Sequence, residues 1–206
     1  MVGEEVGPVA RTAVPGTRER ILGVASQLFY DHGVRAVGMN RIITEAGTGK
    51  NLLYQHFPAK SDLVAAYLEG ARERRARAAE RALEAAGDDP REQLVALVAE
   101  VAAIVGRPGF RGCAFRNYLA EFPEDDGLGD DGGPGAVARA QLIETRTAIA
   151  GRVARLGVAD PERLVEQLWL LVDGLFLQAA YRDRLDDRLD PAGDAAVDLT
   201  RRLVGI

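Results

Sequence analysis

Apolar residues recur along this chain at helical spacing. Ile21, Leu22, Val24, Ala25, Leu28 and Phe29 repeat at intervals of three and four, and Gly33 follows His32 as a stop. The spacing predicts a first helix with one apolar face. Pro15-Gly16-Thr17 breaks the chain ahead of it and offers Thr17 as N-cap. A short second helix fits Met39 to Ala46, with Gly38 at its start and Gly47 as its stop. After the turn Gly47-Thr48-Gly49, a third runs from about Lys50 to His56 and ends before Pro58, which disfavours helical geometry at Phe57. Lys60 or Ser61 opens a long fourth helix to about Ala86, closed by Gly87-Asp88-Asp89-Pro90. Further helices fit residues 91–105, 113–122, 136–156, 161–181 and 191–203, with the acidic, glycine-rich stretch 124–135 as a loop.

Strand-like alternation is rare, so the chain reads as all-α: a three-helix head on a body of roughly six helices. Two short helices joined by a glycine-containing turn, after a longer one, match a helix-turn-helix unit. The organisation expected is a mobile tail over residues 1–16, a helix-turn-helix domain over 17–64 and a helical domain over 65–206. With 47% apolar residues, a core of ordinary size can be buried.

Charge is unevenly divided along the chain. The total is −5, yet residues 11–60 carry seven basic side chains against three acidic, a net +4, while residues 1–10 carry −2 and residues 61–206 carry −7. A basic head on an acidic body suits docking of the head alone on a polyanion. The arginine-rich run Arg72 to Arg81 reads as a solvated helix face.

Candidate chemistry concentrates on the third helix. Thr48, Gly49, Lys50 and Asn51 occupy the end of a recognition helix that faces base edges. Lysine donates to guanine, and an amide such as Asn51 or Gln55 pairs with adenine. Tyr54, His56 and Lys60 supply donors suited to phosphates. Leu53 and Phe57 read as core, and Leu52 fits either core or surface. Packing is the alternative for Tyr54, a helix-end role for His56, and a solvated charge for Lys50 and Lys60.

These residues carry a resemblance. Thr17-Arg-Glu-Arg-Ile-Leu through Leu28-Phe29 and Gly33 looks like the first helix of the TetR family of transcriptional regulators, and Met39 to Gly47 resembles its second. Lys50-Asn-Leu-Leu-Tyr-Gln-His-Phe-Pro-Ala-Lys60 closely resembles its signature recognition helix. The likeness covers about residues 17–68. Gly38, Ile43, Gly49, Leu52 and Gln55 depart from the family string, mainly where sequence would be read. The resemblance implies a sequence-specific regulator of transcription, most often a repressor released from a palindromic operator by a small-molecule effector. The other reading is a helical protein-interaction module that binds no DNA.

A regulator of this kind binds DNA as a homodimer. In Pro161 to Tyr181 the apolar residues cover well over half the helix circumference, more than one contact face needs. Leu168, Val172, Leu175 and Ala179, with Leu142, Ile149 and Val153 of the preceding helix, are the expected dimer interface. An effector cavity is expected among Cys113, Phe115, Tyr118, Phe122, Trp169 and Phe176, with Arg116 and Asp173 as polar anchors, although core packing accounts for each residue equally well.

Other classes are disfavoured. Gly47-Thr-Gly-Lys50-Asn51 lacks the first glycine and the final Ser or Thr of a phosphate-binding loop, and neither Ser26 nor Ser61 sits in a nucleophile elbow. The pair Asp125-Asp126 reads as solubilising charge. A single cysteine and two histidines suggest neither a metal site nor a cofactor. The most apolar stretch, Leu164 to Ala180, is broken by polar residues, and the first fifteen residues lack a signal-like apolar run. A cytoplasmic location without membrane contact is the expectation.

Overall fold

The computed structural model describes residues 16–124, 132–181 and 192–206. Within them the chain is helical, with no strand. The helices are α1 (Thr17–His32), α2 (Met39–Glu45), α3 (Lys50–His56), α4 (Lys60–Ala86), α5 (Pro90–Val105), α6 (Ala114–Glu121), α7 (Pro134–Val153), α8 (Pro161–Ala179) and α9 (Ala192–Val204). A 3₁₀ turn, Ala154–Leu156, prolongs α7. The expected tail up to residue 15, Asp125-Asp126 with most of the 124–135 loop, and Pro191 lie outside the described residues.

Helix ends follow local chemistry. Asp89 caps α5 by accepting from the Arg91 amide at 2.9 Å, and Asp160 caps α8 by accepting from Arg163 at 3.0 Å. Each cap is followed by a proline in the first turn, where a missing N–H costs nothing. At α4, Asp62 accepts from the Ala59 amide at 2.8 Å. Thr17 does not serve as the N-cap of α1: Gly16 takes that position at φ 84°, and Thr17 is the first helical residue, buried. A left-handed cap favours glycine, which places the cap one residue nearer the N-terminus than expected.

Two buried clusters hold the helices together. The first joins α1, α2, α3 and the start of α4 to α6 and the start of α7, around Ile21, Ile42, Leu53, Phe57 and Leu63, with Phe115, Tyr118 and Val137 completing it. The second joins α5, the end of α7, α8 and α9 around Leu94, Val98, Ile149, Leu168 and Val172. Cys113 packs against both. The core of the head therefore extends beyond residue 64 and takes in α6. Long side chains tie α4 to the body. Arg75 donates to Glu100 at 2.5 Å with both side chains largely buried, and Arg72 pairs with Glu144 and Glu69. Arg72 and Arg75 thus leave the solvated face expected of them.

The expected dimer interface needs correction. Ile149, Val153, Leu168, Val172, Leu175 and Ala179 are buried inside the protomer, and Leu142 packs against the head's core. The wide apolar surface of α8 is consumed by α5, α7 and α9 of the same chain. What remains outside is Leu170, Leu177 and Tyr181, with half-buried Gly174 between the two leucines, at spacings of four, three and four residues. Leu170 and Leu177 are 67% and 66% exposed. Leu199 of α9 lies beside them across a shallow apolar groove.

Candidate nucleic-acid interface

The sequence of α3 sorts its side chains by face. Leu53 is fully buried and Phe57, its C-cap residue, nearly so, with the Arg18 guanidinium of α1 lying 5.0 Å over the Phe57 ring. This anchors α3 on α1. Lys50, Asn51, Tyr54 and Gln55 project the other way and are exposed, at positions that share one side of a helix. Gly49 is the exposed N-cap at φ −85°, and Gly47 makes the preceding turn at φ +56°, a backbone geometry that favours glycine. The result is a rigid, two-turn rod with a polar outer stripe of amide, hydroxyl and ammonium donors. Such a rod fits a major groove about 12 Å wide.

Three other expected contacts are placed differently. Thr48 and His56 are half-buried, and their Oγ1 and Nε2 atoms are enclosed without a hydrogen-bond partner among the described residues. In this conformation neither atom faces a docking surface. Lys60 is also half-buried. Its ammonium donates to the Val34 carbonyl at 2.6 Å, so it props the α1–α2 loop instead of standing free. Burial lowers its pKa from the ordinary value, partly offset by the Glu121 carboxylate.

That loop is where α6 grips the head. Glu121 accepts from the Val34 amide at 3.2 Å and the Arg35 amide at 2.8 Å, while Arg35 Nε donates back to the Glu121 carbonyl at 2.6 Å. The Arg35 guanidinium also covers the Phe122 ring at 4.7 Å. Gly33 permits the close approach: at φ 82°, a Cβ there would lie 2.9 Å from Glu121 Oε1. Before the other end of α6, Tyr30 of α1 accepts from the Arg111 amide at 2.9 Å. Residue spacing gave no signal for this clasp, because its partners stand more than eighty positions apart.

The same region carries the similarity to known proteins. The family model described as bacterial regulatory proteins, tetR family, matches residues 21–67. An HTH-type transcriptional regulator of Staphylococcus aureus strain USA300 is 50% identical over 46 residues, 22% of this chain and 25% of the relative. The match thus spans about a quarter of the length of that curated relative. Over the whole fold, SCO4454, a TetR-family transcriptional regulator from Streptomyces coelicolor, superposes with a TM-score of 0.79 at 27% identity, covering 91% of this chain and 94% of that one. The head, residues 21–67, thus matches the tetR family, and the whole chain shares the fold of a TetR-family regulator. A TetR transcriptional regulator from Chloroflexus aurantiacus shares the fold with a TM-score of 0.72 at 21% identity, over 91% of this chain and 93% of that one.

In the body the expected effector residues do not form one site. Cys113, Phe115 and Phe176 line a cavity of about 700 Å³ between α1, α4, α8 and the loop before α6. Tyr118 and Phe122 stack on each other at 4.8 Å near the head, and Tyr118 faces a smaller cavity of about 350 Å³. Arg116 and Asp173, expected as free anchors, pair with each other, with Arg116 Nε donating to Asp173 at 2.9 Å. The Arg116 guanidinium rests 5.3 Å over Trp169 and 4.7 Å over Phe176, so it fastens α6 to α8. Trp169 is packing for that clamp and does not line the cavity. The side chains missed by sequence reasoning are Tyr67, Phe110 and the arginines of α4 that rim the space. Arg74, Arg77 and Arg81 recur at a three-and-four spacing, the one signal that could have placed them on a common face.

Proposed function

We propose that this TetR-family protein is a DNA-binding regulator of transcription, acting as a homodimer that represses from a palindromic operator and leaves it when a small effector binds. The observation that carries this reading is the division of α3. Leu53 and Phe57 lock one side into the head, and Lys50, Asn51, Tyr54 and Gln55 stand exposed on the other. Lys50, Asn51 and Gln55 are the base readers, Tyr54 grips phosphate, and Gly49 lets the backbone come close. Lys60 holds the loop at Val34 and reaches phosphate only with its remaining N–H groups. A two-fold dimer presents a pair of such helices to successive major grooves, about 34–36 Å apart.

The dimer surface supported by exposure is the α8 stripe of Leu170, Gly174 and Leu177 with Leu199 of α9. Exposed leucines in one strip favour a self-complementary partner. The effector role is supported by the cavity that touches α1 of the head and α8 of the body at once. No helix among the described residues is long and apolar enough to cross a membrane. The test is selection of bound fragments from genomic DNA, followed by gel shift. A recurrent palindrome bound in preference to excess competitor supports the reading, and uniform binding to all fragments sinks it. Lys50→Ala and Gln55→Ala should then change which sequences are bound, whereas Tyr54→Phe should weaken all alike.

A further inference from the structure

We infer that the 700 Å³ cavity between α1, α4, α8 and the α5–α6 loop is a binding site for an organic anion, one with an apolar or aromatic body and a carboxylate, sulfonate or phosphate head. This rests on the effector reading above and specifies the chemical class of the effector. Among the described residues the lining contains five arginines (Arg74, Arg75, Arg77, Arg81 and Arg107) and no aspartate or glutamate, in a chain whose net charge is −5. Arg75 spends its charge on Glu100, and Arg77 lies 3.5 Å from Glu73. Arg74, Arg81 and Arg107 have no carboxylate partner among the described residues, and all three are exposed. They form a cationic rim. Tyr67, Phe115 and Phe176 are buried and form an apolar floor.

This layout matches one kind of guest. Guanidinium groups bind carboxylate, sulfonate and phosphate oxygens through paired hydrogen bonds, and clustered cations with no counter-charge raise the local potential that attracts an anion. The rings beneath take an apolar body, and the volume lies within the range of small-molecule sites. A bare inorganic anion would leave that floor unused, and a neutral hydrocarbon would leave the rim unused. Nucleic-acid phosphate is the other polyanion to weigh. The arginines of α4 lie about 20–30 Å along the helix from Lys60, beyond the end that carries α3. An organic anion here would touch Ser26 and Tyr30 of α1 together with Phe176 of α8, so its binding is positioned to bear on the head.

The probe pair is 8-anilinonaphthalene-1-sulfonate and N-phenyl-1-naphthylamine, which share one ring system and differ in the sulfonate. Fluorescence titration of the full chain should give sulfonate binding roughly tenfold tighter than that of the neutral dye. The double variant Arg74→Gln/Arg107→Gln should lose roughly tenfold in sulfonate affinity, keep its affinity for the neutral dye, and keep its melting midpoint. Equal binding of the two dyes, or an unaltered sulfonate affinity in the double variant, overturns the inference. So does a double variant that keeps the dye but loses operator DNA, since its arginines would then serve phosphates of the duplex. Operator release is a separate arm. Arginine-dependent dye binding that leaves operator affinity unchanged supports the anion site and overturns only its effector role.

Discussion

Replacing Glu121 by alanine removes the carboxylate that accepts from the Val34 and Arg35 amides at 3.2 and 2.8 Å, the clasp between α6 and the α1–α2 loop. A hydrogen bond to a charged group contributes about 1.5–3 kcal/mol when shielded from water. Here Arg35 is exposed and Glu121 half-buried, so solvent screening reduces each bond to about 1 kcal/mol. The pair therefore stabilises the docked head by about 2 kcal/mol, which corresponds to a fall of roughly 4–8 °C in melting midpoint for a chain of this size. It also corresponds to roughly thirtyfold faster hydrogen exchange at those amides. Glu121→Gln keeps one acceptor and should fall about halfway. The assays are thermal melting at fixed protein concentration and exchange of the Val34 and Arg35 amides by mass spectrometry or NMR. A Glu121→Ala protein that melts with the wild type and shows unchanged protection at both amides would refute the clasp.

Other outcomes follow from the same packing. Leu53→Ala empties a fully buried site and should cost about 2–5 kcal/mol, abolishing DNA binding, while Gln55→Ala should stay within about 0.5 kcal/mol in urea unfolding; equal costs would contradict the two-faced α3. Leu170→Glu with Leu177→Glu should yield a monomer by sedimentation with an unchanged helical circular dichroism spectrum, and a persistent dimer places the interface elsewhere. Arg116→Ala should destabilise more than Asp173→Ala, because it loses the Trp169 and Phe176 ring contacts as well as the ion pair; the reverse order in denaturant unfolding would count against the clamp. Lys60 is held below its ordinary pKa of 10.5 by burial, so the folded chain releases that proton at lower pH than the unfolded chain does. Its contribution to stability therefore rises with pH across the alkaline interval below 10.5, and Lys60→Met should flatten that rise in unfolding free energy.

The head was legible because its signals are local. Apolar spacing, the glycines at 33, 38, 47 and 49, and Pro58 act within a few residues, and they place α1 to α3 within about one residue of the observed bounds. Where the reading failed, distance was the cause. The breadth of the apolar surface on α8 was visible, but which side its own chain would cover depends on α5 and α9, more than fifty and about twenty residues away in sequence. Arg116 and Asp173 could be selected as polar groups in an apolar stretch, yet their separation of 57 positions hid that they satisfy each other. Lys60 carried a motif that pointed to phosphate, while its short bond to Val34 depends on how the first loop folds back. The arginines of α4 share a composition with any solvated helix face. Only the loop at Phe110 and the ring of Phe176, brought alongside, turn them into the rim of a cavity.

Whether the exposed stripe of α3 reads DNA can be measured by fluorescence anisotropy of the full chain on a palindromic fragment selected from genomic DNA, titrated across salt concentration. Affinity should fall linearly in a double-logarithmic plot as salt rises. Two protomers should bind each palindrome, and Lys50→Ala and Gln55→Ala should shift sequence preference while melting stays unchanged. Affinity that does not respond to salt, or binding that neither variant alters, would contradict DNA reading by that stripe.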